Sequence, residues 1–424
     1  MSLGIGEPRH PTPECITKAL AANFAGLAKY PGTAGSPEFK AAVISWCEKR
    51  YGVTLAANQV LPCLGSREAL FSFVQSAVDS THEAYVVMPT PFYQIYEGAA
   101  ILAGAKPYFV PLTPANHFRM NIEAVPAEVL AKTQVVFVCS PSNPTGSVMR
   151  LADWKRIFEL SDTYGFVVAS DECYSEIYFE EGKAPLGALT AAKELGRTDF
   201  RNLIVFQSLS KRSNAPGLRS GFTAGDARLM EDFLLYRTYH GSAMSLTVQA
   251  ASIAAWSDEA HVIENRRLYR EKFAAAQPVL ASVLEAPMPE AAFYLWVKTP
   301  GDDQIFAREL GYQIADELCV PGARLRARAE HMPDLQPHYL AFALRLRADG
   351  QSFARAGERL GEDSALSYPR HDIAVAPEIV LHYQNAAAHH EPERIRLFAL
   401  GHYYFALLIS CLLYTSDAAD DRIS

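Results

Sequence analysis

Short apolar runs alternate with longer amphipathic stretches over the first two thirds of the chain. The runs Tyr85–Met88, Pro107–Val110, Gln134–Cys139, Gly165–Ala169 and Leu203–Phe206 are rich in β-branched and aromatic residues, and each is bounded by turn-forming positions. They predict strands. The stretches between them predict helices, as do residues 11–29. The clearest helix starts after Ser36, a good N-cap. Pro37 suits the first helical position, Phe39, Val43, Trp46 or Cys47, and Tyr51 follow at helical spacing, and Gly52 suits the residue just past the end. Gly221–Gly225 predicts a further strand. Residues 226 to 284 predict helix throughout, with one break near Gly241. Ala291–Lys298 predicts a strand of a second, smaller domain. Strands alternating with helices in this way predict an α/β fold, a mostly parallel sheet covered by helices on both faces.

The chain has 424 residues, enough for two or three domains, and 49% are hydrophobic. Its net charge is −8 and it has no basic block, which argues against a nucleic-acid partner. The seven cysteines are odd in number and lack metal-ligand or CxxC spacing. No metal is therefore expected, and reduced thiols in a cytoplasmic protein are the simplest account. The first residues lack a charged head and an apolar core, so they are not a signal peptide. The longest apolar stretch, Tyr403 to Tyr414, is too short to cross a bilayer, and no membrane partner is expected.

The chemistry concentrates after the predicted strands. Ligands in open α/β sheets bind beyond the carboxyl ends of strands. Pro89-Thr90-Pro91-Phe92-Tyr93 follows the first run and Ser140-Pro141-Ser142-Asn143-Pro144 the third. Ser170-Asp171-Glu172-Cys173-Tyr174 follows the fourth and Ser208-Leu209-Ser210-Lys211 the fifth. Lys211 has two serines before it, Gly217 after it and Arg219 eight residues on. A lysine that bonds to an aldehyde cofactor needs such a setting: a strand end to fix it, hydroxyls and a guanidinium for a phosphate, and a glycine for close backbone approach. Each group also has an ordinary use. Asp171 fits a helix cap, Asn143-Pro144 a turn, Tyr174 and Tyr93 plain packing, and Gly65-Ser66 the start of any helix. Phe92 competes with Tyr93, and Tyr30-Pro31-Gly32 fits a simple turn. His240 and His261 are expected to be structural or exposed, and Trp296 is expected to pack in the small domain.

Taken together and in this order, the segments from about Gly4 to about Pro321 resemble the class I/II aminotransferases, which depend on pyridoxal 5'-phosphate (PLP). The resemblance implies the aspartate-aminotransferase-like fold (fold-type I PLP enzymes), with a mostly parallel seven-stranded sheet in a large domain and a smaller α/β domain. It places an N-terminal segment at 1–25, short of the family's usual arm and packed with the small domain. The large PLP-binding domain falls at 26–235. Interdomain helices and the small domain fall at 236–360, with an altered reading frame after about 322. A non-native or disordered tail, ending in a stretch like a translated sequencing adapter, falls at 361–424.

The resemblance also implies roles. Lys211 bonds the cofactor and Asp171 pairs with its pyridine nitrogen. Asn143 and Tyr174 bind its phenolic oxygen, and Tyr93 covers one ring face. Ser66, Arg67, Ser208, Ser210 and Arg219 hold the phosphate, with Tyr30 reaching the phosphate of a neighbouring subunit in a homodimer. Gly6 lies near the substrate carboxylate. The family's late-strand arginine for that carboxylate is missing: Ala341 stands there, and Arg345 and Arg347 are out of register. The chain is therefore expected to bind PLP but transaminate poorly.

The stretches Lys29–Glu38, Pro91–Ala99 and Tyr236–Ser245 resemble the bacterial succinyldiaminopimelate transaminases of lysine biosynthesis. That implies amino transfer from glutamate, yielding 2-oxoglutarate, to N-succinyl-2-amino-6-oxoheptanedioate. An aspartate, aromatic or branched-chain aminotransferase, or a PLP lyase or decarboxylase, would share every cofactor residue. A PLP-sensing regulator would need a helix-turn-helix domain, which is not visible.

Overall fold

The computed structural model describes residues 6–240, 243–303 and 305–306, with the short strands Tyr339–Ala343 and Ala406–Leu407. Seven strands form the main sheet: β1 (Val60–Cys63), β2 (Tyr85–Thr90), β3 (Lys106–Pro111), β4 (Thr133–Cys139), β5 (Val167–Asp171), β6 (Leu203–Ser208) and β7 (Gly221–Gly225). Their order is β1-β7-β6-β5-β4-β2-β3. β3, β2, β4, β5 and β6 pair in parallel, while β7 is antiparallel to both β6 and β1. β1 was not expected. Pro62 has no N–H to give a ladder and argues against a strand, but β1 lies at the sheet edge, where proline is tolerated.

Side chains alternate between two apolar cores, as strand geometry requires. Val136 and Val138 join Phe39, Val43 and Trp46 on one face. Val135 and Phe137 join Leu70 and Phe73 on the other. The helix Pro37–Tyr51 forms as expected: Ser36 Oγ accepts from Phe39 N at 3.1 Å, and Gly52 closes the helix at φ 66°. Strand ends differ from expectation in one useful way. β2, β5 and β6 run on to Thr90, Asp171 and Ser208, so these polar groups stand on regular strand rather than in loops.

The region expected to be one interrupted helical run is three helices: Ala227–His240, Leu246–Ser257 and Ala260–Ala281. The first break falls where expected, although Gly241 itself lies outside the described residues. The second, at Asp258–Glu259, is a correction. Asp258 Oδ2 accepts from His261 N at 3.0 Å and lies 2.5 Å from His261 Nδ1, a side-chain cap that starts the last helix. The 235/236 boundary falls inside Ala227–His240.

β8 (Tyr294–Lys298) is shorter than the Ala291–Lys298 run and pairs with β9 (Tyr339–Ala343) antiparallel, with Ala341 opposite Trp296. Leu295 and Val297 pack on Phe273, Ala276 and Leu280 of the last helix. Tyr294 and Trp296 face the other way, toward Tyr174 and Phe118. The expectations for 322–337, Arg345 and Arg347 lie outside the described residues, as does the 361–424 tail except Ala406–Leu407, which pairs beside β9. No helix among the described residues is long and apolar enough to cross a membrane.

Candidate active site

Five strand ends open on one region. Lys211 lies in the short helix Leu209–Arg212 directly after β6. Ser208 Oγ caps that helix, accepting from Ser210 N at 3.1 Å, and stands 2.9 Å from Ser210 Oγ. Asn265 Nδ2 donates to the carbonyls of Lys211 and Arg212 at 3.2 Å each, which holds the segment from behind. The Lys211 amine donates to the Gly6 carbonyl and lies 5.2 Å from the centre of the Phe293 ring. Burial lowers its pKa to about 8.

Asp171 ends β5, opposite Cys139 of β4 and Phe206 of β6. Oδ2 accepts from Tyr96 OH at 2.6 Å and Oδ1 from Cys173 N at 3.2 Å. Burial pushes its pKa up, partly offset by those donors, and no cation pairs with it among the described residues. A buried carboxylate with donors but no counter-charge fits a cationic ring nitrogen. Tyr96 was not anticipated, although it follows Tyr93 by one helical turn. Its ring stacks on Phe137 at 4.3 Å.

Tyr93 stands edge-on to Tyr96 at 6.0 Å. Burial pushes its hydroxyl up to about 12, with Arg67 and Asp171 among the charges acting on it. Phe92 instead packs on Phe109 of β3 at 5.2 Å, whereas Tyr93 lies within electrostatic reach of Asp171. Tyr174 OH lies 3.0 Å from Tyr294 OH, a partner that sequence spacing cannot reveal. Asn143, in the loop after β4, is half-buried and donates its N–H to Cys139 Sγ at 3.4 Å.

Ser66 and Arg67 begin the helix Ser66–Ala77 after β1. Ser66 Oγ lies 2.8 Å from Cys173 Sγ, tying this helix start to the Asp171–Tyr174 turn. Arg219 adopts the left-handed conformation at φ 55°, and its guanidinium donates to the carbonyls of Pro216 and Leu64 at 2.9 Å each. It rests against Gly65, at φ 82°, where an added Cβ would come within 2.7 Å of Nη2. Glycine there lets a guanidinium lie over free helix N–H groups, an arrangement suited to a phosphate. The exposed Arg67 and Arg219 flank this point.

Gly6 meets Tyr294: a Cβ on Gly6 would come within 2.1 Å of the tyrosine oxygen. Tyr30 is set apart, at 103% exposure. His261 is structural, as expected, with Nε2 2.8 Å from Ser213 Oγ. Cys15, Asp258 and His261 come together although no spacing pointed to it, but both ring nitrogens of His261 already have partners. The five cysteines among the described residues are free.

Residues 1–330 match the family described as aminotransferase class I and II. An LL-diaminopimelate aminotransferase of Desulforudis audaxviator is 33% identical over 329 residues, covering 76% of this chain and 82% of the relative. An aminotransferase of Neisseria meningitidis superposes with a TM-score of 0.70 at 56% identity, covering 73% of this chain and 78% of that one. A probable N-succinyldiaminopimelate aminotransferase of Thermus thermophilus gives 0.65 at 27% identity, covering 73% and 83%. The strand-end lysine and the buried carboxylate, which no cation pairs among the described residues, thus stand in a chain that belongs to the aminotransferase class I and II family, whose members depend on PLP.

Proposed function

We propose that this chain transfers an amino group between glutamate and N-succinyl-2-amino-6-oxoheptanedioate, with the cofactor aldehyde carried on Lys211. The observation that carries the amino-transfer reading is geometric: Lys211 follows β6 directly, and Asp171 ends the neighbouring parallel strand β5, buried and with no cation paired to it among the described residues. Bound PLP supplies an electron sink for bond breaking at the amino acid's α-carbon.

The chain's own residues do the rest. Asp171 pairs with the pyridine nitrogen, kept in place by Tyr96. Asn143 and Tyr174 donate to the phenolic oxygen. Tyr93 covers one ring face. Ser66, Arg67, Ser208, Ser210 and Arg219 hold the phosphate, each charge-assisted bond contributing roughly 1.5–3 kcal/mol. Lys211 Nζ would accept the proton that leaves the substrate's α-carbon. Gly6, whose carbonyl accepts from Lys211, borders the substrate carboxylate. Tyr30, wholly exposed on its own chain, reaches the phosphate held by a second copy, so the working unit is a homodimer.

Loading should depend on pH. Only the neutral amine attacks an aldehyde. With a pKa of about 8, about one amine in ten is neutral at pH 7, against about three in ten thousand for an ordinary lysine. The rate of PLP uptake by apoprotein, followed by visible absorbance, is expected to rise with pH and level off above about 8. A rate still climbing tenfold per unit at pH 9.5 contradicts this.

The relatives' names leave two substrates in view: LL-diaminopimelate itself and its N-succinyl derivative. The quoted resemblances favour the succinylated one. The deciding test gives holoprotein each amine in turn and follows conversion to the pyridoxamine form. Faster conversion with LL-diaminopimelate overturns the choice, and conversion with neither overturns the pathway. With Ala341 at the expected arginine position, kcat/KM is expected to fall below that of an intact relative that carries the arginine by about 10² or more, the loss of a bidentate carboxylate contact. Equal values refute that expectation.

A further inference from the structure

We infer that Tyr294 is a positioning residue: it donates to Tyr174 and so tunes the cofactor's phenolic oxygen from β8. This rests on the reading that Tyr174 faces that oxygen. The two hydroxyls lie 3.0 Å apart, and among the described residues each has only the other as a hydrogen-bond partner. Both rings are buried, at 6% and 5% exposure, and burial pushes both hydroxyls well above their ordinary pKa, so both keep their protons at neutral pH.

An isolated pair of hydroxyls uses one proton between them and leaves the other without an acceptor. Which proton is left over decides what the pair can do. Tyr294 is pinned on every side. Its oxygen fills the space over Gly6, and its ring leans on Phe293, which stacks on Tyr269. Tyr174 belongs to the turn that follows Asp171, so its leftover proton is the one presented to the cofactor site. Either hydroxyl can donate at this distance, and the proposed direction is Tyr294 to Tyr174 to an anionic oxygen. Hydrogen bonds in such a chain strengthen one another by roughly 10–30%.

The ionisable groups acting on the pair are Cys139 at the end of β4, Cys173, Tyr93 and Tyr269, with Lys211 linked through Gly6. The four other than Lys211 have pKa values raised by burial and are neutral at pH 6–8. They do not titrate in the window used below.

The measurement is the pH midpoint of the holoprotein's visible absorbance, which reports protonation at the bond between Lys211 and the cofactor. Withdrawing density from the phenolic oxygen lowers that midpoint. Tyr294→Phe, which removes one oxygen and keeps the ring, is expected to raise it by a few tenths of a unit, and Tyr174→Phe by about one unit or more. The decisive result is the double variant. If Tyr294 acts through Tyr174, adding Tyr294→Phe to Tyr174→Phe shifts the midpoint no further. An unchanged midpoint in Tyr294→Phe, or the same shift in both backgrounds, overturns the proposal. Should Tyr294→Phe fail to load, 3-fluorotyrosine at position 294 keeps the hydroxyl and donates more strongly. It must lower the midpoint, and a rise or no change counts against the role. A wild-type protein with no visible band would overturn the cofactor reading itself, and this role with it. Equal shifts overturn only the role of Tyr294.

Discussion

Replacing Lys211 by methionine is expected to abolish transamination while leaving the protein at least as stable. General acid–base help from a placed side chain is worth about 10²–10⁴ in rate, and loss of covalent anchoring adds to that, so kcat/KM should fall by about 10⁴ or more. The visible band of the holoprotein should disappear as well. Stability should move the other way. The pKa falls to about 8 in the folded chain, against 10.5 for an ordinary lysine, because burial disfavours the charged form. The amine therefore destabilises the fold fully below pH 8, progressively less between 8 and 10.5, and not at all above. At about 1.4 kcal/mol per unit the cost at pH 7 is about 3 kcal/mol. Methionine keeps the stem and removes the charge. A higher Tm for the apo variant at pH 7, with the difference shrinking toward pH 10.5, is the expected pair of results. A variant that keeps its colour, with PLP bonded to another lysine, would sink the assignment.

Asp171→Asn is the second large effect. A carboxylate about 4 Å from a pyridinium, at an effective dielectric of about 20, is worth about 4 kcal/mol, which raises the ring-nitrogen pKa by about 3 units. The amide forfeits that, so kcat/KM should drop by about 10³. Cofactor should still bind, because the phosphate cradle of Ser66, Ser208 and Arg219 is untouched. The contrast between the two variants is informative: one loses the colour, the other keeps it and loses rate. Wild-type rates in Asp171→Asn would return Asp171 to the plain capping use that its bond to Cys173 N also allows.

How much of this was legible follows from where each piece lies. Buried parallel strands read as apolar runs, and their ends are marked by the first polar residues. Asp171, Ser208 and Lys211 could therefore be placed to within a residue or two. Three misses have physical causes. β1 was hidden by Pro62, which only an edge position tolerates. The break at Asp258 was hidden because a side-chain cap inside a continuous amphipathic pattern leaves no gap in that pattern. Tyr294 could not be matched to Tyr174 because 120 residues separate them and only the folded chain brings β8 to the turn after β5. Tyr96 was within reach, one turn beyond Tyr93, but its bond to Asp171 depends on the pairing of β2, β4 and β5.

Asp171 and Lys211 are each withdrawn from water, and no ion pair joins them among the described residues. The polypeptide alone therefore carries two desolvation penalties that only a guest with a cationic nitrogen and an aldehyde relieves. Its melting point should consequently track the supply of the vitamin, through the mass-action linkage that ties any receptor's folding to its occupancy. In a cell starved of vitamin B6, the first deficit would be in the amount of intact protein rather than in the speed of each molecule.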